Sequence, residues 1–391
     1  MTPARWVPLA ELGDVVLPGE PLPFRIIDGH GRLLLARGHA VQDARQLQTL
    51  IERGACVELE EAAAARRARE GVAEPGPAIA RIRTWFDRFE RHVWQLDALL
   101  RALPVGTPIA TSLAAFGREH QALIERQPDA ALFVAVRQDD RRFALYGLTH
   151  ALHTATVVLL TARLLDWPAG RIRSVFMAAL TMNAAIVELQ ARMAEQREPP
   201  TRRQIEQVRA HPATSAQWLR AGGVDDTAWL AAVEDHHERA GGSGYPRGLP
   251  AVGEEARLLR AADVYAAKIS PRVIRAAMLP QRAARELFQD EQGSPLAAAL
   301  IKAVGVYPPG EFVHLKNGET AVVVHRAGGG RAAQVTALFD APGRPLLSAS
   351  RRDTATPAYA ITGALTEAER SGLPRVLPEQ VFGLLEAESA A

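Results

Sequence analysis

One cysteine in 391 residues, Cys56, and three lysines, Lys268, Lys302 and Lys316, are what this sequence has least of. A single thiol excludes an intramolecular disulfide framework and any cysteine-rich zinc site, and it fits a reducing compartment. Net charge is scarce too. The 46 basic and 44 acidic residues leave +2, so no one-signed field marks the chain for nucleic acid or a membrane surface. No uninterrupted apolar run of about 18 residues occurs, so no membrane span is expected. Met1 to Pro8 has no charged segment leading into an apolar one, so no signal peptide is read there. The expectation is a cytoplasmic protein of two or three domains, with 48% hydrophobic and 23% charged residues supporting a sizeable core.

What is present has a changing period. Phe24 to Ile27 reads as a strand, Asp28 to Gly31 as a turn and Leu33 to Ala36 as the hairpin partner. A helix is predicted from Asp43 to Arg53, stopped by Gly54, with a short strand from Cys56 to Leu59. Glu60 to Arg69 and the breaker Glu74-Pro75-Gly76-Pro77 suggest a linker. From Ala78 to about Val306 apolar residues recur at helical spacing, as in Leu148, Leu152, Ala155 and Leu159. Beyond Tyr307-Pro308-Pro309-Gly310 the period switches to two. Phe312 to Leu315, Thr320 to Val324 and Ala333 to Phe339 read as antiparallel strands, and the end of the chain as polar and peripheral.

Eleven histidines stand out against the single cysteine, and five of them, His150, His153, His211, His236 and His237, lie in the helical region after Tyr146; His120 lies upstream. Neutral imidazole is the commonest protein metal ligand. The pair His236-His237-Glu238 runs into Gly241, Gly242, Gly244, Tyr245 and Pro246, which places two imidazoles at a helix end beside a tight loop. His150, by contrast, is recommended by nothing but its distance from His153, and core packing is the plainer reading for it.

The segment from His236 to Pro246 resembles the signature of the HD-GYP family, helical bundles that hold two or three iron or manganese ions and hydrolyse the bacterial second messenger cyclic di-GMP. The resemblance covers roughly Tyr146 to Arg275. It implies metal ligands at His153, His211, His236, His237 and Asp263, a nucleotide contact at Tyr245, and phosphate-facing arginines at Arg272 and Arg275. It also implies an interaction loop of Gly242, Gly244, Tyr245 and Pro246. The implied fold is mainly α, an HD-type helical bundle, with a small N-terminal α+β unit and a short C-terminal antiparallel β segment. The expected boundaries are 1–60 for the accessory unit, 61–77 linker, 78–140 helical connector, 141–305 HD-GYP-like domain, 306–350 β segment and 351–391 polar tail.

The chain departs from that pattern where the family's His-Asp pair belongs. Met182 stands at the histidine, Asn183 at the aspartate and Ile186 at a following lysine; Thr149 and Gly241 replace a glutamate and an aspartate. A thioether is a poor imidazole substitute toward iron or manganese, and a neutral amide cannot bridge two cations as a carboxylate does. The expected cofactor is therefore one divalent ion (Fe, Mn or Zn) rather than a two-metal centre. The expected function is a nucleotide-binding or protein-docking module of cyclic di-GMP signalling with little or no hydrolysis. Its alternatives are an active phosphodiesterase using Asn183, Glu188 or Glu238 as substitute ligands, and a scaffold without ligand.

Overall fold

In the computed structural model, which describes residues 6–28, 33–70, 84–137, 142–328, 332–371, 373, 376 and 378–382, two compact units separate. The first comprises Met1–Arg83 with Asp140–Ala144, the second Thr84–Asp139 with Leu145–Ala391. The first holds strands β1 (Trp6–Pro8), β2 (Ile26–Ile27) and β3 (Leu33–Leu35), helix α1 (Ala44–Glu52), strand β4 (Cys56–Glu58) and helix α2 (Leu59–Glu70). The strands form an antiparallel sheet in the order β1-β4-β2-β3. Asp43 starts α1 by accepting the Gln46 amide, a side-chain cap. The expected turn at 28–31 lies, past Asp28, outside the described residues, as do 71–83 and 383–391.

The linker expectation is corrected at its start, because residues 61–70 belong to α2. The alanine, arginine and glutamate content that reads as low complexity is also that of strong helix formers. Glu60 and Glu61 sit at the positive end of the helix dipole, and Ala62 and Ala65 are buried.

The second unit contains α3 (Trp85–Ala102), α4 (Ala110–Arg126), α5 (Pro128–Val136), α6 (Tyr146–Leu164), α7 (Ala169–Thr181), α8 (Val187–Glu195), α9 (Arg202–Ala221) and α10 (Thr227–Asp235). It continues with α11 (Glu254–Ile269), α12 (Pro280–Asp290) and α13 (Pro295–Val304). Thr84 with Asp87 and Thr201 with Gln204 form reciprocal capping boxes that fix the starts of α3 and α9. Helix α6 is central: it packs on α3, α5, α7, α8, α11 and α13 and is buried on nearly every side. Its close approach to α8 needs Gly147, since a Cβ there would lie 2.6 Å from the Val187 carbonyl oxygen. The stretches Phe143–Leu164 and Ala169–Glu195 are long and apolar enough to cross a bilayer by length and composition, but most of each is buried against neighbouring helices.

The bundle runs into β5 (Phe312–Leu315), β6 (Thr320–His325), β7 (Gln334–Phe339), β8 (Pro345–Asp353) and β9 (Ile361–Ala364), followed by α14 (Glu367–Ser371) and α15 (Pro378–Phe382). The sheet order is β8-β7-β6-β5-β9, all antiparallel. The expectation of a merely polar tail after 350 is thereby corrected. β9 pairs with β5, Val313 opposite Ala364, and Ile361 packs against the core of Val313, Leu315, Val323 and Val335. Pairing closes an edge of β5 that would otherwise expose unpaired amides.

Candidate metal and nucleotide site

Helix α10 ends at Asp235, and His236 is its C-terminal cap residue, so the histidine pair leaves the helix where the sequence places it. Helix α9 brings His211 alongside. The ligating atoms of His211, His236 and His237 all lie within 4.8 Å of one another, the one such group of three among the described residues. His211 donates Nδ1–H to the Val208 carbonyl at 2.5 Å and His236 donates Nδ1–H to Val233 at 2.7 Å. These bonds fix the tautomers and leave two bare Nε2 lone pairs facing each other at 3.1 Å.

Two lone pairs at that distance repel unless a cation lies between them. A proton is a poor candidate: burial, then the neighbouring His236, lowers His211 to about 3, and the same two causes lower His237 to about 2. Burial also lowers His236, opposed by Asp263. A metal ion fits, because two nitrogens bound at about 2.0–2.1 Å stand roughly 2.9–3.4 Å apart.

Asp263, on α11, lies in the same electrostatic group. Burial alone would raise its carboxyl, but the hydrogen bond and charge of His150, with His237 and His236, outweigh that and hold it below the usual carboxylate range. The ring on Asp263 Oδ1, at 2.7 Å, is His150 Nε2, and not His153. His153, one turn along, stacks on Phe89 with ring centroids 6.4 Å apart and acts on His120 instead. Helix α6 is buried on nearly every side, so its period does not say which histidine faces α11. A usable signal is Tyr146 and His150 at i and i+4, which stack at 5.7 Å.

Arg272 donates to the Tyr146 hydroxyl at 3.1 Å and lies over that ring, which ties it through Tyr146 to His150 and Asp263; its buried Nε has no partner. Arg275 folds back, its backbone paired with Arg272 and its guanidinium on the Ala267 carbonyl. Tyr245 stacks on His237 at 4.6 Å, and its hydroxyl is raised by burial and by Asp263. The loop carrying Gly242, Gly244, Tyr245 and Pro246 is closed by Glu238, whose carboxylate accepts the Arg247 amide at 2.6 Å and the Leu249 amide at 3.0 Å.

Neither proposed glutamate substitute is available. Both Glu238 oxygens are occupied by the loop backbone, and Glu188 is 66% exposed and pairs with Arg101 and Arg192. Met182 and Ile186 are buried apolar groups in the turn between α7 and α8, and Asn183 is buried there with its Nδ2 unpartnered. Thr149 is spent on the carbonyls of Leu145 and Tyr146.

Residues 133–295 match a family model described as HD domain. A curated relative, cyclic di-GMP phosphodiesterase PA4108 from Pseudomonas aeruginosa, is 28% identical over 219 residues, 54% of this chain and 51% of its own. The chain thus spans about half the length of that relative. Among solved structures, Bd1817, an HDGYP protein from Bdellovibrio bacteriovorus, aligns with a TM-score of 0.49 and 14% identity over 76% of this chain and 98% of its own. The segment similar to the HD domain holds the His-His-Glu and Gly-Tyr-Pro residues and the three-histidine group.

Proposed function

We propose that this chain is a bacterial, cytoplasmic cyclic di-GMP signalling module that binds one divalent ion and the nucleotide but turns the nucleotide over feebly or not at all. One observation carries the reading. The three-histidine group is intact, while the place of the family's His-Asp pair is filled by the buried thioether of Met182 and the neutral amide of Asn183. His211, His236 and His237 would hold the ion, with Asp263 beside them. A bound divalent ion would supply Lewis acidity toward a phosphoryl oxygen.

The chain's own groups do the rest. Arg272, steadied by Tyr146, offers a guanidinium suited to bidentate phosphate recognition, and Arg275 would add a second by leaving the Ala267 carbonyl. Tyr245, stacked on His237, offers a ring face and a protonated hydroxyl donor. Ile186 offers neither proton nor charge to a leaving oxygen. The Gly242 to Pro246 loop is the surface on which a signalling partner would dock. The His150–Asp263 bond favours a second reading, an active phosphodiesterase, because it keeps a carboxylate ionised at the centre.

Metal content, cyclic di-GMP hydrolysis and calorimetric nucleotide binding on one preparation decide between them. We expect at most one divalent ion per chain, nucleotide binding and little hydrolysis, and added divalent metal in the double variant Met182→His, Asn183→Asp. Two or more tightly held divalent ions with turnover to a linear dinucleotide or GMP overturn the reading, and absence of nucleotide binding leaves only a scaffold.

A further inference from the structure

A second group of histidines lies away from that site. His92 on α3 is 3% exposed and His120 on α4 is 0% exposed, and their Nδ1 atoms face each other at 2.9 Å. His153 on α6 is the third, buried and electrostatically coupled to His120. The walls are aromatic. The His120 ring stacks on Phe116 at 5.8 Å and Phe176 at 6.1 Å, and Phe89 lies 5.4 Å from His120 and 6.4 Å from His153.

The rings are neutral. Burial, then Arg91 and Arg88, lowers His92 to about 4, and burial, then His92 and His153, lowers His120 well below the ordinary imidazole value. The His92–His120 contact can therefore carry one proton only. Among the described residues His120 Nε2 is buried with no partner, as a bare acceptor if Nδ1 donates and as an idle donor if Nδ1 accepts. Either way an unsatisfied buried polar group costs about 1–3 kcal/mol, which apolar side chains of the same shape would avoid. Packing does not account for three imidazoles from three helices gathered among phenyl rings.

Metal ligation does account for them. We propose that His92, His120 and His153 form a second metal site, independent of His211, His236 and His237, and that it takes Cu(I). The donor set is three neutral nitrogens with no carboxylate. A divalent ion in such surroundings keeps its full charge away from water at a cost that rises with the square of the charge. Zinc also completes a tetrahedron, and the rings packed against His120, those of Phe89, Phe116 and Phe176, offer no fourth ligand. A soft monovalent ion is satisfied by two or three imidazoles. With bonds of about 2 Å, trigonal nitrogens stand about 3.5 Å apart, so the site closes by parting His92 from His120 slightly and turning His153 inward. That inward turn is required, since the only three-donor group already closed among the described residues is the other one.

The test is anaerobic titration of the full chain with Cu(I) against a chromogenic chelator, with X-ray absorption for ligand type. In a His236→Ala, His237→Ala background the chain is expected to keep one Cu(I) with imidazole scatterers. Adding His120→Phe or His92→Phe is expected to weaken binding by roughly a hundredfold or more. The same Cu(I) affinity in a folded Phe variant, or no Cu(I) bound once the first site is removed, overturns the proposal. Circular dichroism confirms folding. His153→Asn, a milder change, decides in the same way if the Phe variants do not fold.

Discussion

His211 and His237 hold their rings neutral at the cost of proton uptake, and that has a sign. Their ordinary value is 6.5, and in the fold burial and His236 bring them to about 3 and about 2. Below pH 6.5 the unfolded chain takes up protons that the folded chain refuses, so stability falls as pH falls from 6.5 toward 3. Each group contributes at most roughly 1.4 kcal/mol per pH unit in that window. Urea unfolding of the chelated protein at pH 7, 6 and 5 should show the decline, and His211→Asn should flatten it. A flat profile in the parent chain would mean that these rings are not buried neutral. At this scale the sequence singles out His236 and His237 by the loop that follows them, and His211 and Asp263 through the family resemblance. It passes over His150, whose partner is 113 residues away.

The Gly-Tyr-Pro loop and helix α6 show what elements add. A Cβ on Gly244 would lie 2.3 Å from the Arg239 nitrogen and 2.4 Å from the Glu238 Cα, both backbone atoms that cannot step aside cheaply. Gly244→Ala should push the loop off Glu238, expose the Arg247 and Leu249 amides, and cost about 1–3 kcal/mol. Faster hydrogen exchange at those two amides, in a chain whose helices still protect their own, is the expected signature; unchanged exchange would show that the loop absorbs the methyl elsewhere. Helix α6 carries His150 toward α11 and His153 toward α3 and α4, three residues apart on one turn. Its apolar composition announces a buried helix, and a helix buried on nearly every side has no polar face from which to read direction.

Within the larger unit the C-terminal sheet supplies a buried charge. Glu311 is fully buried ahead of β5, both carboxylate oxygens lack hydrogen-bond partners among the described residues, and Arg370 of α14 lies 3.9 Å away. Burial raises it to about 7 from 4.5, opposed by Arg370 and Arg137. The sign is opposite to that of the histidines: the folded chain binds the proton more tightly, so the stability it contributes is complete below about 4.5 and is lost as pH rises through 7. Glu311→Gln should leave stability nearly unchanged at pH 4.5 and raise it by up to roughly 3 kcal/mol at pH 8. Equal stability of the two proteins at both pH values would show that Glu311 titrates normally.

Composition, period and one local motif sufficed for the helical class, the hairpins at either end, the histidine pair with its loop, and the substitutions at Met182 and Asn183. These rest on residues near in sequence, where helix and strand periods and turn chemistry act. What only tertiary structure decided is which side chains meet at long range. It set His150 rather than His153 on Asp263, made a strand of residues 361–364, and closed Glu238 on its own loop. It also gathered His92, His120 and Phe89 around His153. The reason is physical: a helix buried on nearly all sides has no solvent-facing side to orient its polar residues, so the direction of each polar side chain is set by the neighbours that surround it.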